Sequence, residues 1–503
     1  MLLMRRRETW GTNLGLILAA AGNAVGLGNL LRFPSKAALY GGGSFMVPYF
    51  ISLILLGIPV MLLEWVAGRY AGRFGHGSMP GIIGLFFNQA AWARALGSLG
   101  LVIPTLIVMY YIWIESWTLG FAFASLFGML PDPVSSADYR TAMAPYVEFF
   151  RSYTAPSNFA LISLWVTLLI NWYILQRGVM RGIEVTAKIC MPALILMGLV
   201  LGVVSITSGN FAGLEGLKFI YSLNLSGISD PKVWIEASGQ IFFTLSLGMG
   251  AIATYASYVK PREDVVKAGL ATASINEFVE VVIGASIAIP AAFAMFGALA
   301  VPELAKEGTF RLGFMTMPAI LMSLPLGTLL AFLWFLLLFF AALTSSLALI
   351  QPLVSFFEDE MRFSHTKAVT LSMLLVIGGA HLCVFIPTFL DELDFWAGAV
   401  FLLIFALIEI FVFIWVFGPD RFYAELTRDT SIKLPKAFVY LTGVVSPIFL
   451  LSIGYFWLSS QAQSLLSATA EQWIARLFIL ALLVVLVILS VLSRKKVLEG
   501  PKL

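Results

Sequence analysis

Apolar residues are arranged along this chain in runs of about 20 residues, separated by short polar segments. A helix needs a run of about that length to cross the ~30 Å hydrocarbon layer of a membrane. The period-2 alternation that a membrane barrel needs is absent from these runs. The pattern predicts an all-α integral membrane protein with twelve transmembrane helices, which we number as spans 1 to 12. They lie near residues 13–37, 44–70, 95–124, 158–176, 183–206, 234–258, 268–298, 326–357, 367–387, 393–417, 438–460 and 471–493.

Two of these spans differ from the others because a glycine-rich polar stretch interrupts each near its middle. The stretches are Gly22–Asn29 in span 1 and Thr244–Gly250 in span 6. Glycine destabilises a helix interior by up to about 1 kcal/mol relative to alanine. Close helix packing is the alternative interpretation, since Gly22 and Gly26 form a GxxxG motif. Because the interrupted spans are five apart, we favour a transporter of two inverted repeats with its binding site at the membrane midplane.

The interrupted spans also predict how the chain is organised. The predicted parts are a cytoplasmic N-terminal segment (1–12), a first repeat with spans 1 to 5 (13–206), a second repeat with spans 6 to 10 (234–417), spans 11 and 12 (438–493) and a cytoplasmic tail (494–503). Short cytoplasmic loops collect Lys and Arg. About two thirds of the 31 basic residues fall on the side that holds both termini. We therefore expect a multi-pass protein of the cell membrane with both termini in the cytoplasm.

The composition agrees with a lipid environment and excludes several other classes of protein. Hydrophobic residues make up 60% of the chain and charged residues only 12%, against about 45–50% and 25% in soluble proteins. The net charge of +3 is too small to indicate nucleic-acid binding. Two cysteines, Cys190 and Cys383, are too few for a disulfide framework. The three histidines, His76, His365 and His381, lack the spacing of a metal site.

The interruption of span 1 frees backbone groups at membrane depth. Such groups are tolerated only where they line a cavity or are buried in protein. Carbonyl oxygens of Gly22, Ala24 and Val25 suit a hard cation such as Na⁺, and the amides near Leu27 and Gly28 suit a carboxylate. One short segment therefore has the groups to bind a cation and a carboxylate together.

Three further spans place candidate binding residues on one helix face, because these residues are three or four positions apart. The sets are Ala341, Thr344, Ser345 and Leu349 in span 8, Asn276 and Glu280 in span 7, and Ile107 and Tyr111 in span 3. Intramembrane Ser and Thr also bond to their own helix backbone, so a lone hydroxyl is uninformative.

Ionisable residues inside spans are costly and are therefore functional candidates. The chain has Arg32, Glu64, Glu115, Glu236, Glu280, Asp394 and Glu409 in such positions. For Glu64, Glu115, Glu236 and Glu409 we expect structural ion pairs or helix–helix hydrogen bonds. Arg32 follows the first interruption and Asp394 begins span 10, so this pair is better placed to close a vestibule.

Several segments, in order, resemble the neurotransmitter:sodium symporter family. They are Trp10–Asn29, Leu31–Pro34, Gly41–Gly43, Gly239–Gly248 and Asp394–Gly398. The similarity runs from about Arg7 to the end of span 12 and is greatest to the prokaryotic, LeuT-like amino-acid transporters. It implies the LeuT fold, with a 5+5 inverted repeat and broken helices 1 and 6, and a function in symport rather than catalysis.

The resemblance also implies two sodium sites. The first, Na1, would use the Ala24 carbonyl, Asn29, Thr244, Asn276 and the carboxylate of the substrate. The second, Na2, would use the carbonyls of Gly22, Val25 and Ala341 and the hydroxyls of Thr344 and Ser345.

An amino-acid substrate would lie between these sites. By resemblance, its carboxylate would meet the amides of Leu27 and Gly28 and the Tyr111 hydroxyl. Its ammonium would meet carbonyls of Ala24, Phe243 and Thr244 and the Ser246 hydroxyl. Its side chain would lie among Ile107, Tyr111, Phe243, Met249, Ser345 and Leu349.

Three positions refine the expected substrate and ion requirement. Monoamine carriers of the family have an Asp where this chain has Gly26, so an amino acid is favoured over a biogenic amine. Glu280 stands where chloride-dependent relatives have a serine, so we expect it to substitute for chloride and expect no chloride requirement. Met249 and Leu349 replace a phenylalanine and an isoleucine of the leucine transporter. Because methionine adapts its shape, we expect a broad apolar range that includes aromatic amino acids.

The gates follow from the same resemblance. Arg32 and Asp394, with Tyr111 and Phe243, would close the outside. Arg7 and Asp359, with Trp10 and Tyr258, would close the inside.

The predicted function is sodium-coupled import of apolar α-amino acids by alternating access. Alternatives are a carrier of another small zwitterion, a non-transporting amino-acid sensor and an integral-membrane enzyme. The expected partners are the small-molecule substrate and the lipid bilayer, with a homodimer as a further possibility and no nucleic acid.

Overall fold

The computed structural model describes residues 8–136, 138–306, 308–466 and 468–498, and this part of the chain is helical without strands. Ten of its helices are long and apolar enough to cross a membrane. They are Gly43–Gly72, Ala91–Leu126, Asn158–Gln176, Val179–Phe211, Val265–Phe296, Gly327–Glu360, His365–Phe385, Phe389–Val416, Ala437–Ser459 and Ala470–Ser493. These helices correspond to spans 2 to 5 and 7 to 12 of the prediction.

The two remaining spans are broken, as the sequence predicts. Span 1 consists of Asn13–Ala24 and Gly28–Leu39, bent by 50° at the break, and counts as an eleventh crossing if the two halves are taken together. Span 6 consists of the short helices Pro231–Thr244 and Ala251–Ala256. Neither half of span 6 is long enough to cross a membrane, so the total of twelve crossings stays a prediction.

The break in span 6 depends on backbone conformations that side chains disfavour. Ser246, Gly248 and Gly250 have φ values of 52°, 65° and 69°. This left-handed region is favoured mainly by glycine. A Cβ on Gly250 would lie 2.8 Å from the carbonyl oxygen of Gly100 in span 3, so close packing also excludes a side chain there.

Spans 3 and 8 form the centre of the bundle and make its most extensive helix–helix contact. In each of these two spans, 83% of the most apolar stretch of 18 residues is buried. In the peripheral helix Ala470–Ser493 the corresponding share is only 28%. The candidate residues Tyr111 and Ser345 lie on these two central spans. Packing of the two spans therefore holds both residues in position.

Span 7 brings its polar residues to the break in span 1 through a local distortion. Its α-helix Val265–Glu277 continues as a π-helical turn, Phe278–Gly284. A Cβ on Gly284 would lie 2.2 Å from the carbonyl oxygen of Asn29. Spans 1 and 7 thus approach within backbone contact, and the π-helical turn carries Glu280. Such turns occur frequently at functional sites.

Shorter helices connect the spans. They include Met79–Phe86, Tyr139–Thr154, Gly213–Tyr221, Ala300–Lys306, Thr309–Met322 and Pro419–Leu426.

Candidate functional site

A group of oxygen atoms from spans 1 and 8 forms the first part of the site. The Ser345 hydroxyl oxygen lies 3.2 Å and 3.3 Å from the carbonyl oxygens of Gly22 and Val25. The Ala341 carbonyl, one turn earlier in span 8, is 3.1 Å away. A hydroxyl has one proton, so it cannot donate to all three carbonyls at once. We call Gly22, Val25, Ala341 and Ser345 the carbonyl cluster, an oxygen-rich set that suits a hard cation.

Thr344 borders this cluster. Its hydroxyl lies 3.1 Å from the Ala341 carbonyl and 3.0 Å from that of Phe340. A Cβ on Gly22 would lie 2.9 Å from the Cβ of Thr344. Spans 1 and 8 therefore meet closely at this point, and all five predicted Na2 residues are neighbours.

A second polar group joins spans 1, 6 and 7. The Nδ2 atom of Asn29 lies 2.8 Å from the Thr244 hydroxyl, 2.9 Å from Asn276 Oδ1 and 2.8 Å from Glu280 Oε2. Three acceptors surround an amide nitrogen that has two protons. Glu280 also accepts from the Thr244 hydroxyl and, at 2.7 Å, from Gln240 Nε2. We call these five residues the amide cluster, and three acceptors compete at its centre for the two amide protons of Asn29.

A small cavity lies between the two clusters, where both broken spans meet spans 3 and 8. It is lined by Asn23, Ala24, Gly26, Gly28, Asn29, Ile107, Tyr111, Phe243, Ser246, Met249, Ser345 and Leu349. Of the predicted substrate contacts, Leu27 and Thr244 are outside this lining. The Leu27 amide donates to the Tyr111 hydroxyl at 3.2 Å, and the Thr244 hydroxyl belongs to the amide cluster.

Two residues of the site were missed at the sequence level. Asn23 lines the cavity, and neither atom of its side-chain amide has a hydrogen-bond partner although the residue is only 3% exposed. Gln240 donates to Glu280. Gln240 stands one turn before Thr244 on the same helix face, a spacing that does indicate a shared site. Nothing in the sequence indicates where the side chain of Asn23 points.

The predicted outer gate residues lie near each other but have different partners. The guanidinium of Arg32 packs over the ring of Phe243 at 4.9 Å, a cation–π arrangement. Asp394 accepts a hydrogen bond from the Tyr110 hydroxyl at 2.6 Å. The sequence predicts roles for Ile107 and Tyr111 on span 3 and none for Tyr110.

The predicted inner gate residues lie where the N-terminal segment meets the second half of span 6. Trp10 donates from its indole nitrogen to the Tyr255 carbonyl at 2.9 Å and from its backbone to the Tyr258 carbonyl at 3.2 Å. The Tyr258 hydroxyl accepts from Gln351 at 2.9 Å. Asp359 accepts from Ser355 at 2.9 Å. Arg7 lies outside the described residues.

Of the four carboxylates for which we expect structural partners, Glu64, Glu115 and Glu236 have them. For Glu409 the expectation is wrong, because neither of its buried carboxylate oxygens has a hydrogen-bond partner among the described residues. Glu64 accepts from the Gly248 amide at 2.8 Å and so supports the break in span 6. Glu115 accepts from Asn171 at 2.9 Å, and Glu236 forms an ion pair with Lys36 at 2.6 Å.

The chain is similar to known transporters over most of its length. A sequence model described as "Sodium:neurotransmitter symporter family" matches residues 7–152 and 155–499. An uncharacterised sodium-dependent transporter of Methanocaldococcus jannaschii is 30% identical, over 89% of each chain. A sodium- and chloride-dependent taurine transporter of Rattus norvegicus is 26% identical, over 90% of this chain and 78% of that protein.

A solved structure matches over nearly the same length. The crystal structure of MhsT in complex with L-phenylalanine superposes with a TM-score of 0.77 at 30% sequence identity, covering 89% of this chain and 99% of that one. The match confirms the predicted LeuT-type fold, and the relatives are transporters rather than enzymes. The chain is a multi-pass membrane protein and belongs to the sodium:neurotransmitter symporter family.

Proposed function

We propose that this protein imports apolar α-amino acids with Na⁺ across the cell membrane by alternating access. The observation that carries the proposal is the position of the cavity between the carbonyl cluster and the amide cluster. A zwitterion in that cavity has oxygen-rich cation sites on both sides. Its binding and that of Na⁺ would therefore support each other, which is the requirement for coupled transport.

The two clusters are the proposed sodium sites. Na2 would be held by the carbonyl cluster with the Thr344 hydroxyl. Na1 would be held by Asn29, Thr244 and Asn276 of the amide cluster with the Ala24 carbonyl and the substrate carboxylate. In the carbonyl cluster three carbonyl oxygens share the one proton of the Ser345 hydroxyl, so a cation relieves the repulsion between them. In the amide cluster the carboxylate of Glu280 favours a cation beside it.

The cavity wall supports an α-amino acid as the substrate. A Cβ on Gly26 would lie 2.8 Å from the Tyr111 hydroxyl and 2.9 Å from the Ser345 hydroxyl. An Asp at this position, which would bind an amine without a carboxylate, would have to displace both hydroxyls. The substrate must then supply its own carboxylate, which we place at Leu27, Gly28 and Tyr111. Its ammonium would meet Ala24, Phe243, Thr244 and Ser246.

The apolar part of the cavity supports a broad range of side chains. Ile107, Met249 and Leu349 line it and are buried, and the half-buried ring of Phe243 completes the lining. Methionine has three rotatable bonds and packs well against aromatic rings. The complex of MhsT with L-phenylalanine supports aromatic as well as aliphatic substrates for this chain.

Chloride independence is proposed from Glu280. Its carboxylate lies 2.8 Å from Asn29, inside the amide cluster, and would balance the charge of Na⁺ without a bound anion. The rat taurine transporter is described as chloride-dependent, so the chloride requirement of this chain needs its own test.

Alternating access would use the two gates on either side of the cavity. We place the termini in the cytoplasm, with Arg32, Asp394, Tyr111 and Phe243 closing the outer side. Arg7, Asp359, Trp10 and Tyr258 would close the inner side. Na⁺ can bias this equilibrium only through its different affinity for the two states.

The test is binding of twenty labelled amino acids to the purified protein with Na⁺ or with K⁺, followed by counterflow in proteoliposomes. Na⁺-dependent binding of Leu, Ile, Val, Met or Phe together with counterflow is the expected result. Binding without counterflow would indicate a sensor. Binding of only a betaine or a γ-amino acid, added to the panel, would indicate a carrier of another zwitterion.

A further inference from the structure

The segment before span 1 and the start of span 5 are joined by two carboxylates that point in opposite directions. Glu8 accepts a hydrogen bond from the backbone N–H of Val179 at 2.7 Å. Glu184 accepts one from the backbone N–H of Gly11 at 2.7 Å and one from the Thr12 hydroxyl at 2.8 Å. Each segment thus gives a carboxylate to the backbone of the other. We call these five residues the carboxylate clasp.

Glycines make room for both carboxylates. A Cβ on Gly178 would lie 2.5 Å from an oxygen of Glu8. A Cβ on Gly15 would lie 2.1 Å from Oε1 of Glu184. Both distances are far below a normal contact, so the two segments fit each other only because these positions lack side chains.

The electrostatics of Glu184 make the clasp more than a surface contact. Its side chain is only 2% exposed, and Lys188 lies 2.7 Å from Oε1. A buried carboxylate needs several donors to offset its loss of hydration. The N-terminal segment supplies two of them, and hydrogen bonds to an ionised group are about twice as strong as neutral ones.

The clasp lies at one end of the helix whose other end forms the binding site. Thr12 is the N-cap of Asn13–Ala24 and accepts from the Gly15 amide at 3.0 Å. Ten residues further along, Gly22 supplies a carbonyl to the carbonyl cluster. A helix of this length, about 15 Å, transmits a displacement of one end to the other as a rigid body.

We infer that Glu8 and Glu184 are positioning residues of the inner gate, which hold the first half of span 1 closed against span 5. The inference rests on the proposed function, in which this half-helix moves to release Na⁺ and substrate inwards. Trp10 fastens the same segment to span 6. The clasp binds the same segment to span 5 on its other side. Inward opening breaks both carboxylate contacts together.

Labelling of an introduced cysteine tests the inference. In a Cys190→Ala, Cys383→Ala background, Ser257→Cys places a thiol at a position that is 4% exposed, next to Tyr258 and the inner gate. Its reaction rate with a maleimide at saturating Na⁺ reports how often the inner side opens. We expect Glu8→Ala and Glu184→Ala each to raise the rate at least fivefold, with Glu184→Gln in between, because an amide oxygen still accepts from Gly11.

Two controls separate gating from general loosening. Asp138 caps the distant helix Tyr139–Thr154 through two backbone N–H groups, and Asp138→Ala should leave the rate unchanged. The double variant Glu8→Ala, Glu184→Ala should raise the rate by about the product of the two single increases, because one opening event must break both contacts and each contributes its own free energy to the closed state. The Na⁺ concentration for half-maximal substrate binding should rise in the same order as the labelling rate.

The inference is overturned if both alanine variants label within twofold of the parent, or if Asp138→Ala accelerates labelling equally. A wild-type protein without Na⁺-dependent binding would instead overturn the proposed function. Labelling needs no substrate, so it decides the role of the clasp in either case.

Discussion

The hydroxyl oxygen of Ser345 lies 3.2 Å from the carbonyl oxygen of Gly22, across the interface between spans 8 and 1. Gly22 is part of the broken helix, whereas Ser345 lies on a central span that packing holds in place. A cation bound between them would tie the movable half of span 1 to a fixed support. Loss of that cation would release this half of span 1. Na⁺ at this site would in this way control opening of the inner side.

The first prediction concerns this site. Thr344→Ala should raise the Na⁺ concentration for half-maximal substrate binding about 10- to 100-fold. The reason is the loss of one oxygen that would coordinate Na⁺, which we take to cost as much as a hydrogen bond to a charged group, about 1.5–3 kcal/mol. Scintillation-proximity binding across a Na⁺ titration measures it. Thr344→Ser keeps the hydroxyl and should stay near wild type. Ser346→Ala removes a hydroxyl that faces Asn171 instead, and a similar effect there would argue against the assignment of Thr344.

The second prediction concerns chloride. Glu280→Ser should make Na⁺-dependent binding require chloride, with at least tenfold weaker binding when gluconate replaces it. The reason is that the charge of Na⁺ next to Asn29 would otherwise be uncompensated. Wild type should bind equally in both salts. Glu277→Gln is the matched control, since this neighbouring carboxylate accepts from the Tyr49 hydroxyl and, at 3.3 Å, from Asn276 Nδ2, and an amide oxygen can still accept. Chloride dependence of the wild type would contradict the proposal.

The sites around Thr344 and Glu280 could be predicted from the sequence in part, whereas the carboxylate clasp could not. Both breaks were predictable, because glycines and polar residues interrupt apolar runs at matching places in spans 1 and 6. The sharing of one face by Ala341 and Ser345 followed from helical spacing alone.

Other features depend on tertiary structure. The π-helical turn at Phe278–Gly284 has no residue that marks it, and it turns Glu280 towards Asn29. The clasp joins Gly11 to Glu184, which are 173 residues apart, so no local pattern reveals it. The second half of span 6 is only six residues long, too short for a hydropathy criterion to separate it from a loop.

The third prediction concerns substrate range. Met249→Phe should weaken competition by Trp and Tyr against labelled leucine about tenfold and leave Val and Leu unaffected, because a rigid ring cannot move aside as a thioether can. Met249→Leu should remain close to wild type. If Phe, Tyr and Trp fail to compete in the wild type, the broad-range proposal is wrong.

The last prediction concerns Asn23, a residue that lines the cavity and whose buried side-chain amide has no hydrogen-bond partner. A buried amide left unpaired costs about 1–3 kcal/mol, which a zwitterion in the cavity would recover by bonding to it. Asn23→Leu, close in volume, should therefore weaken substrate binding about tenfold. It should also leave the substrate-free protein at least as thermostable as wild type, because no hydrogen bond is lost. Asn171→Leu is the opposite control: Asn171 bonds to Glu115 and Ser346, so this change should lower the unfolding temperature. Wild-type affinity in Asn23→Leu would show that the amide does not contact the substrate.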